Sequence, residues 1–367
     1  MNNLSEKISA SLLLGSYFET IGFNNSNWEF NLNVEVKNDL AKISFISHEM
    51  YFQFLKSGGK NFNIKKLNSS DDTLLMIFTA KATLKGNNIN EYIKEYTKKL
   101  KLLEDQKRFS EITTVNSLRQ IKKSSKKYLN YDDSMTGNGA AVRTSSIGLY
   151  FYKENQLELL IEKSIESSRI THNHTIGFLG GLVTALFTSY AVRNISPWKW
   201  ADNLLKVYES NKIDNYLKKT DIYDKYLSDK KDFWDKWYEY REKEIPFIKD
   251  KNMEPFYIKT KKFIKYSYHI HPKKIDYSKL GSSGICSTIY AYDSLLNSIK
   301  NENKFNTTSL LVFSSIHTGD NDSTGMIAGC WFGALKGFYD FDKKNLEELE
   351  FYKEINDISK KFIKKLK

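Results

Sequence analysis

A glycine recurs at every fourth position through the stretch IHTGDNDSTGMIAGCWFGALKGF, Ile316 to Phe338. Gly325, Gly329, Gly333 and Gly337 fall on one stripe if the segment is helical. Each glycine inside a helix costs about 1 kcal/mol relative to alanine. Four on one stripe therefore imply a close helix–helix contact that needs them. Just ahead, Asp320 and Asp322 stand two residues apart among small residues, where a helix N-terminus would hold them rigidly. The chain has 367 residues, with only four prolines and 18 glycines, which favours long uninterrupted helices.

The rest reads as helical. QLELLIEKSIESSRI (156–170) places Leu157, Leu160, Ile161 and Ile165 on one face with the 3.6-residue period. YLSDKKDFWDKWYEYREKE (226–244) alternates charges with Phe233, Trp234, Trp237 and Tyr238, as an amphipathic helix capping a core does. Such aromatics between lysines could also stack on nucleic-acid bases, but core packing explains the stripe more simply. TIGFLGGLVTALFTSYAV (Thr175 to Val192) carries no charge across a length that could span a bilayer. Its three glycines, its hydroxyl residues and the lack of a second span favour a buried core helix instead. No strand alternation, repeat or long linker stands out, and the charged region 205–275 reads as an elaboration of one domain spanning 1–367. The expected class is all-α.

The formal net charge is +12, which would attract phosphates or acidic partners. The lysines are scattered, however, and the densest patches, IKKSSKKY (121–128) and KKFIKKLK (360–367), are short. A solvated surface accounts for them, and no nucleic-acid or membrane partner is expected. Cys286 and Cys330 have no metal-type spacing and make no disulfide framework. Together with an N-terminus that lacks a basic, signal-like region, they point to a reducing, cytoplasmic compartment.

A second acidic pair stands far away in sequence. In NSSDDTLLMIFTAKATL, Ser70, Asp71, Asp72 and Thr73 precede an apolar helical run. Ser70 suits a helix cap, and acids in a first turn suit the helix dipole. Asp320, Asp322 and Ser323 read the same way at their own helix start. If both starts converge, the carboxylates would repel strongly unless a hard cation lies among them. Oxygen ligands without Cys or His fit Mg²⁺, Mn²⁺ or Ca²⁺, and so many acids suit a pair of ions. Two further stretches qualify as candidates. In TGNGAAVRTSSIGLYF, Gly137, Gly139, Ala140 and Ala141 read as opening a helix with exposed N–H groups, a phosphate-cradling device, although a Gly-x-Gly alone is more often a turn. In RITHNHTIGFLGG, His172 and His174 precede the apolar helix, where histidines are usually packed and hydrogen-bonded.

Taken together, SSDDT, GNGAAVR, SIESSRITHNHTIGFLGGLVTALFTSYAV and HTGDNDSTGMIAGCWFG resemble, in order and spacing, the ADP-ribosylglycohydrolases. The arginine-directed branch of that family is the most similar. NWEF (Asn27 to Phe30) and GSSG…AYDSLL (Gly281 to Leu296) share the likeness, which covers nearly the whole chain. The resemblance implies a compact, single-domain orthogonal helical bundle and a binuclear Mg²⁺ site. It also implies hydrolysis of the bond between ADP-ribose and an arginine guanidinium on a protein, by a monomer. Carried over by motif, Ser70, Asp71 and Asp72 match one side of the metal cage, and Asp320, Asp322 and Ser323 the other. Asp71, Asp72 and Glu29 are the expected catalytic carboxylates, with Asp72 or Glu29 acting on the attacking water. Gly137, Asn138, Gly139, Ala140 and Ala141 match the pyrophosphate loop. His172 matches a histidine beside the substrate, Gly281, Ser282, Ser283 and Gly284 a loop along the ligand, and Tyr277 a packing partner of adenine.

The sequence also departs from the family pattern. An early Gly-Asp-Ala-Leu-Gly reads Phe18, Glu19, Thr20, Ile21, Gly22. The family's His-Asp pair after the glycine–serine loop is replaced around Ile285 and Cys286, and its His-Pro step reads His174–Thr175. Two other outcomes stay open at this level: a degenerate relative that only binds ADP-ribose or a protein, and a hydrolase of another linkage such as ADP-ribosyl-serine.

Overall fold

The computed structural model describes residues 3–31, 39–124, 126–250, 256–266, 276–301 and 304–366. The described elements are helices, apart from a short antiparallel hairpin pairing Ile299–Asn301 with Lys304–Phe305, which the sequence pattern did not reveal. Buried apolar residues from Ile8 to Phe362 form one contiguous cluster.

The glycine stripe finds its partner at the other end of the chain. The helix Asn321–Lys336 lies along the N-terminal helix Leu4–Phe23. A β-carbon at Gly333 would lie 2.3 Å from the Ala10 carbonyl oxygen, one at Gly329 2.4 Å from that of Leu14, and one at Gly325 3.0 Å from that of Phe18. Rising numbers on one helix meet falling numbers on the other, so the pair is antiparallel. Backbone touches backbone along it, and this contact offsets the helix-propensity cost of the glycines. Gly337 does not belong to the stripe. It follows the last helical residue with φ +66°, a conformation glycine adopts at little cost.

The helix Thr175–Val192 is long and apolar enough to cross a bilayer, and it is buried along its whole length inside the protein. Phe187 at its middle meets Trp200, Trp237, Tyr292 and Trp331, with ring centroids 5.0–5.6 Å apart. Phe233, Trp234 and Trp237 of the helix Tyr223–Glu239 are buried, so the aromatic stripe is core. The helix Leu157–Arg169 likewise buries Leu160, Ile161 and Ile165.

This packing brings three helix ends together. The C-terminal end of Leu4–Phe23 meets the start of Asn321–Lys336, and Ser16 Oγ lies 3.0 Å from Thr73 Oγ1 in the first turn of the helix Asp71–Lys85.

Candidate active site

At this junction, sequence segments about 250 residues apart touch directly: the Ser323 hydroxyl donates to Asp72 Oδ2 at 2.7 Å. Ser70 caps its helix as expected, its Oγ accepting from the Asp72 N–H at 3.2 Å. Asp322 Oδ1 accepts from the Ser323 N–H at 2.8 Å. Asp320 Oδ2 accepts from the Asn138 amide at 3.0 Å. Glu29 arrives on a short turn in which Phe30 takes φ +50° and its N–H donates to the Gly319 carbonyl at 3.0 Å. One oxygen each from Glu29, Asp320 and Asp322 lies within 4.8 Å of the others.

A sixth carboxylate joins them. Glu19, noted in the sequence only as a departure, is wholly buried. Its Oε1 accepts from both the N–H and the hydroxyl of Ser70, at 2.5 and 2.7 Å. Its position was legible, because it keeps a carboxylate, one methylene longer, where the family pattern carries aspartate.

Among the described residues, the charges that act most strongly on Glu29 and Asp72 are those of other carboxylates. Burial, then Asp322, pushes Glu19 up to about 8. Burial and the neighbouring acids also raise Glu29, Asp71, Asp72 and Asp320 well above the usual range. Asp322 is raised by burial as well, with hydrogen bonds offsetting part of the shift. Glu29 Oε2 is buried and receives no hydrogen bond. Converging buried carboxylates with an unpartnered oxygen, and among the described residues only Arg108 acting on them from the side of Glu19, fit a hard divalent ion.

The glycine loop differs from the sequence reading. Residues 139–144 form turns, and the helix begins only at Ser145. The Ala141 N–H is not exposed but donates to the Asn138 carbonyl at 2.7 Å. Gly137 instead pairs with Ser283 in an isolated bridge, and the Gly284 N–H donates to the Thr136 carbonyl at 3.0 Å. The glycine loop and the glycine–serine loop are thus joined by backbone. Ser283 caps the helix Gly284–Asn297, while the Ser282 hydroxyl turns away to the Lys279 carbonyl. Tyr277 is buried in a short turn packed on the Glu29 segment. His172 is wholly buried, its Nε2 3.0 Å from Glu111 Oε1. His174 caps the core helix, accepting from the Ile176 N–H.

Glu111 had no signal in the sequence. Its N–H donates to Asp71 Oδ2 at 3.2 Å, and its Oε2 accepts from Thr114 at 2.7 Å. Burial pushes its carboxyl up, but His172 and the hydrogen bonds outweigh that and hold it below its ordinary range. Arg143 lies beneath the loop, fully buried, donating to the carbonyls of Gly139 and Ser167 and to Tyr96 Oη.

A family model described as ADP-ribosylglycohydrolase matches residues 14–367. The chain belongs to the ADP-ribosylglycohydrolase family. It is 34% identical over 390 residues to the ADP-ribosylhydrolase ARH1 of Dictyostelium discoideum, covering 97% of this chain and 93% of that protein. It is 31% identical over 364 residues to a putative ADP-ribosyl glycohydrolase of Acanthamoeba polyphaga mimivirus, covering 94% of this chain and 67% of that one. A solved structure titled an ADP-ribosylglycohydrolase-related protein complex superposes with a TM-score of 0.56, covering 98% of both chains at 13% identity; this likeness concerns the fold. This ADP-ribosylglycohydrolase therefore has the compact all-α fold of its family, whose members are metal-dependent hydrolases of ADP-ribosylated substrates.

Proposed function

We propose that this ADP-ribosylglycohydrolase removes ADP-ribose from arginine side chains of proteins. The observation that carries the proposal is the convergence of Glu19, Glu29, Asp71, Asp72, Asp320 and Asp322 in one buried cluster, where the charges acting most strongly on Glu29 and Asp72 are other carboxylates. Ser70, Asp71, Asp72, Asp320, Asp322 and Ser323 would hold two Mg²⁺ ions. When bound, the ions offset the repulsion among the acids and supply Lewis acidity to the ribose end of the substrate.

The chain's own residues do the rest. Glu29, with Oε2 free of hydrogen bonds and its basicity raised by burial and its neighbours, takes the proton from the attacking water. The water oxygen bonds to the anomeric carbon as the C–N bond breaks; the electron pair of that bond leaves with the cationic guanidinium, which departs as neutral guanidine and takes up a proton, restoring the balance with the one that Glu29 received. Neighbouring carboxylates stabilise the positive charge that builds on the sugar. They also attract the substrate guanidinium before cleavage, an advantage that a serine ether oxygen lacks. We also read the chain as one monomeric domain of a reducing, cytoplasmic compartment. The continuous apolar cluster and the two buried cysteines, neither of them in a disulfide, support that reading.

The test is kcat/KM on three peptides that differ only in carrying ADP-ribose on arginine, serine or aspartate, with Mg²⁺ and with EDTA. Mg²⁺-dependent preference for arginine is expected. Equal rates, or preference for serine, would overturn the arginine reading.

A further inference from the structure

The glycine loop carries an anion of its own. A β-carbon at Gly137 would lie 2.2 Å from Glu111 Oε1 and 3.0 Å from His172 Nε2, and one at Gly139 would lie 2.4 Å from Glu111 Oε2 and 2.8 Å from the His172 ring. The side-chain-free face of the loop is therefore filled by a carboxylate and an imidazole. That is the face a diphosphate would need in order to approach the backbone. His172, in direct contact, and then Arg143 behind the loop explain why an anion settles there. The buried guanidinium of Arg143 donates to Gly139 O at 2.7 Å, Ser167 O at 2.9 Å and Tyr96 Oη at 3.1 Å. None of these acceptors is an anion, so the positive charge is felt through the loop.

We propose that Glu111 is a specificity-determining residue of this site: its carboxylate competes with a ligand's diphosphate for the glycine loop, and so sets how tightly ADP-ribose is held and released. The proposal rests on the reading of the site as one for ADP-ribosyl compounds. Glu111 is suited to yield. Its side chain is 29% exposed while that of His172 is fully buried, and it sits at the entry to the helix Ile112–Ser124 beside exposed Phe109 and Ile112. When it swings outward, His172 Nε2 and Thr114 Oγ1 lose their present partner and become available to the incoming ligand. Two anions cannot share the loop without repelling one another. The Glu111 backbone N–H to Asp71 Oδ2 is unaffected by such a swing, so the acid cluster need not rearrange.

The experiment is calorimetric titration of ADP-ribose, ADP and adenosine into the wild-type protein, Glu111→Gln and Glu111→Gly, all at saturating Mg²⁺. Glu111→Gln keeps the shape and removes the charge, exchanging one accepting oxygen for an NH₂ donor that the Thr114 hydroxyl can still accept, which protects the test against a folding defect in the glycine variant. Kd for ADP-ribose and for ADP should fall by at least about tenfold in Glu111→Gln, as removal of one like charge implies, with adenosine unchanged. Unchanged or weaker binding of both diphosphates in Glu111→Gln, or no binding by any of the three proteins, overturns the proposal. Hydrolysis of the arginine peptide is assayed separately. Tighter diphosphate binding without any hydrolysis would sink the arginine reading and leave the role of Glu111 standing.

Discussion

Two groups of buried carboxylates can be compared in this protein. Asp293 in the helix Gly284–Asn297 is buried, ion-paired with buried Lys259, and hydrogen-bonded by Tyr240 at 3.2 Å and Asn297 at 2.9 Å. Nearby Glu244 is ion-paired with Lys262 at 2.5 Å and Lys265 at 3.3 Å. In that region each acid has a protein cation. The cluster of Glu19, Glu29, Asp71, Asp72, Asp320 and Asp322 is equally buried, and among the described residues the strongest charges acting on Glu29 and Asp72 are other acids. Burial of acids is common to both regions. What separates a structural ion pair from a candidate catalytic centre is whether the chain supplies the counter-charge itself.

The largest test of this contrast is Asp322→Ala. It should lower kcat/KM by at least about 10³-fold, the scale of removing a charge-organising group from an active site, while circular dichroism stays helical. Activity within tenfold of the parent would place the chemistry elsewhere. The matched change in the other region is Lys259→Met, which leaves Asp293 buried without its cation. A loss of roughly 3–5 kcal/mol in denaturant unfolding is expected, with kcat retained in the folded fraction. Should Lys259→Met leave stability untouched, the two regions would not differ as described.

The third test uses pH. Glu19 is raised from 4.5 to about 8 in the folded chain, and its acidic neighbours shift the same way. Between those values the folded form holds protons that the unfolded form has released. Stability of metal-free protein therefore falls as pH rises from about 5 to 8. Tm in EDTA should drop across that range, and saturating Mg²⁺ should flatten the drop by taking the protons' place. A Tm that climbs with pH in EDTA would contradict the origin assigned to these shifts.

The smallest effect concerns the scaffold shared by both regions. Gly329→Ala places a methyl 2.4 Å from the Leu14 carbonyl oxygen and 2.9 Å from its carbon. Backbone cannot rotate away, so roughly 1–3 kcal/mol of stability should be lost, despite alanine's better helix propensity. A gain in Tm would show that the two helices are not in contact there.

These regions were unequally legible in the sequence. Ser70–Asp71–Asp72 and Asp320–Asp322–Ser323 declare themselves locally, because capping residues and acids at a helix start leave a short pattern. The glycine stripe announced a close neighbour but not which one, since nothing in Leu4–Phe23 alone marks it as the partner. The glycine loop does not open a helix as its sequence suggested, because it is joined by backbone to the segment around Ser283, more than a hundred residues away. Glu111 was missed because its partners, Asp71, His172 and the loop glycines, are assembled only by tertiary packing.

The most direct measurement of the central claim is calorimetric titration of Mg²⁺ into EDTA-treated wild-type protein, Asp322→Ala and Lys259→Met, repeated in buffers of different ionisation enthalpy. Saturable binding by the wild type and by Lys259→Met, with protons released on binding and binding lost or strongly weakened in Asp322→Ala, is what the carboxylate cluster predicts. An unchanged isotherm in Asp322→Ala, or no binding by the wild type, would contradict it.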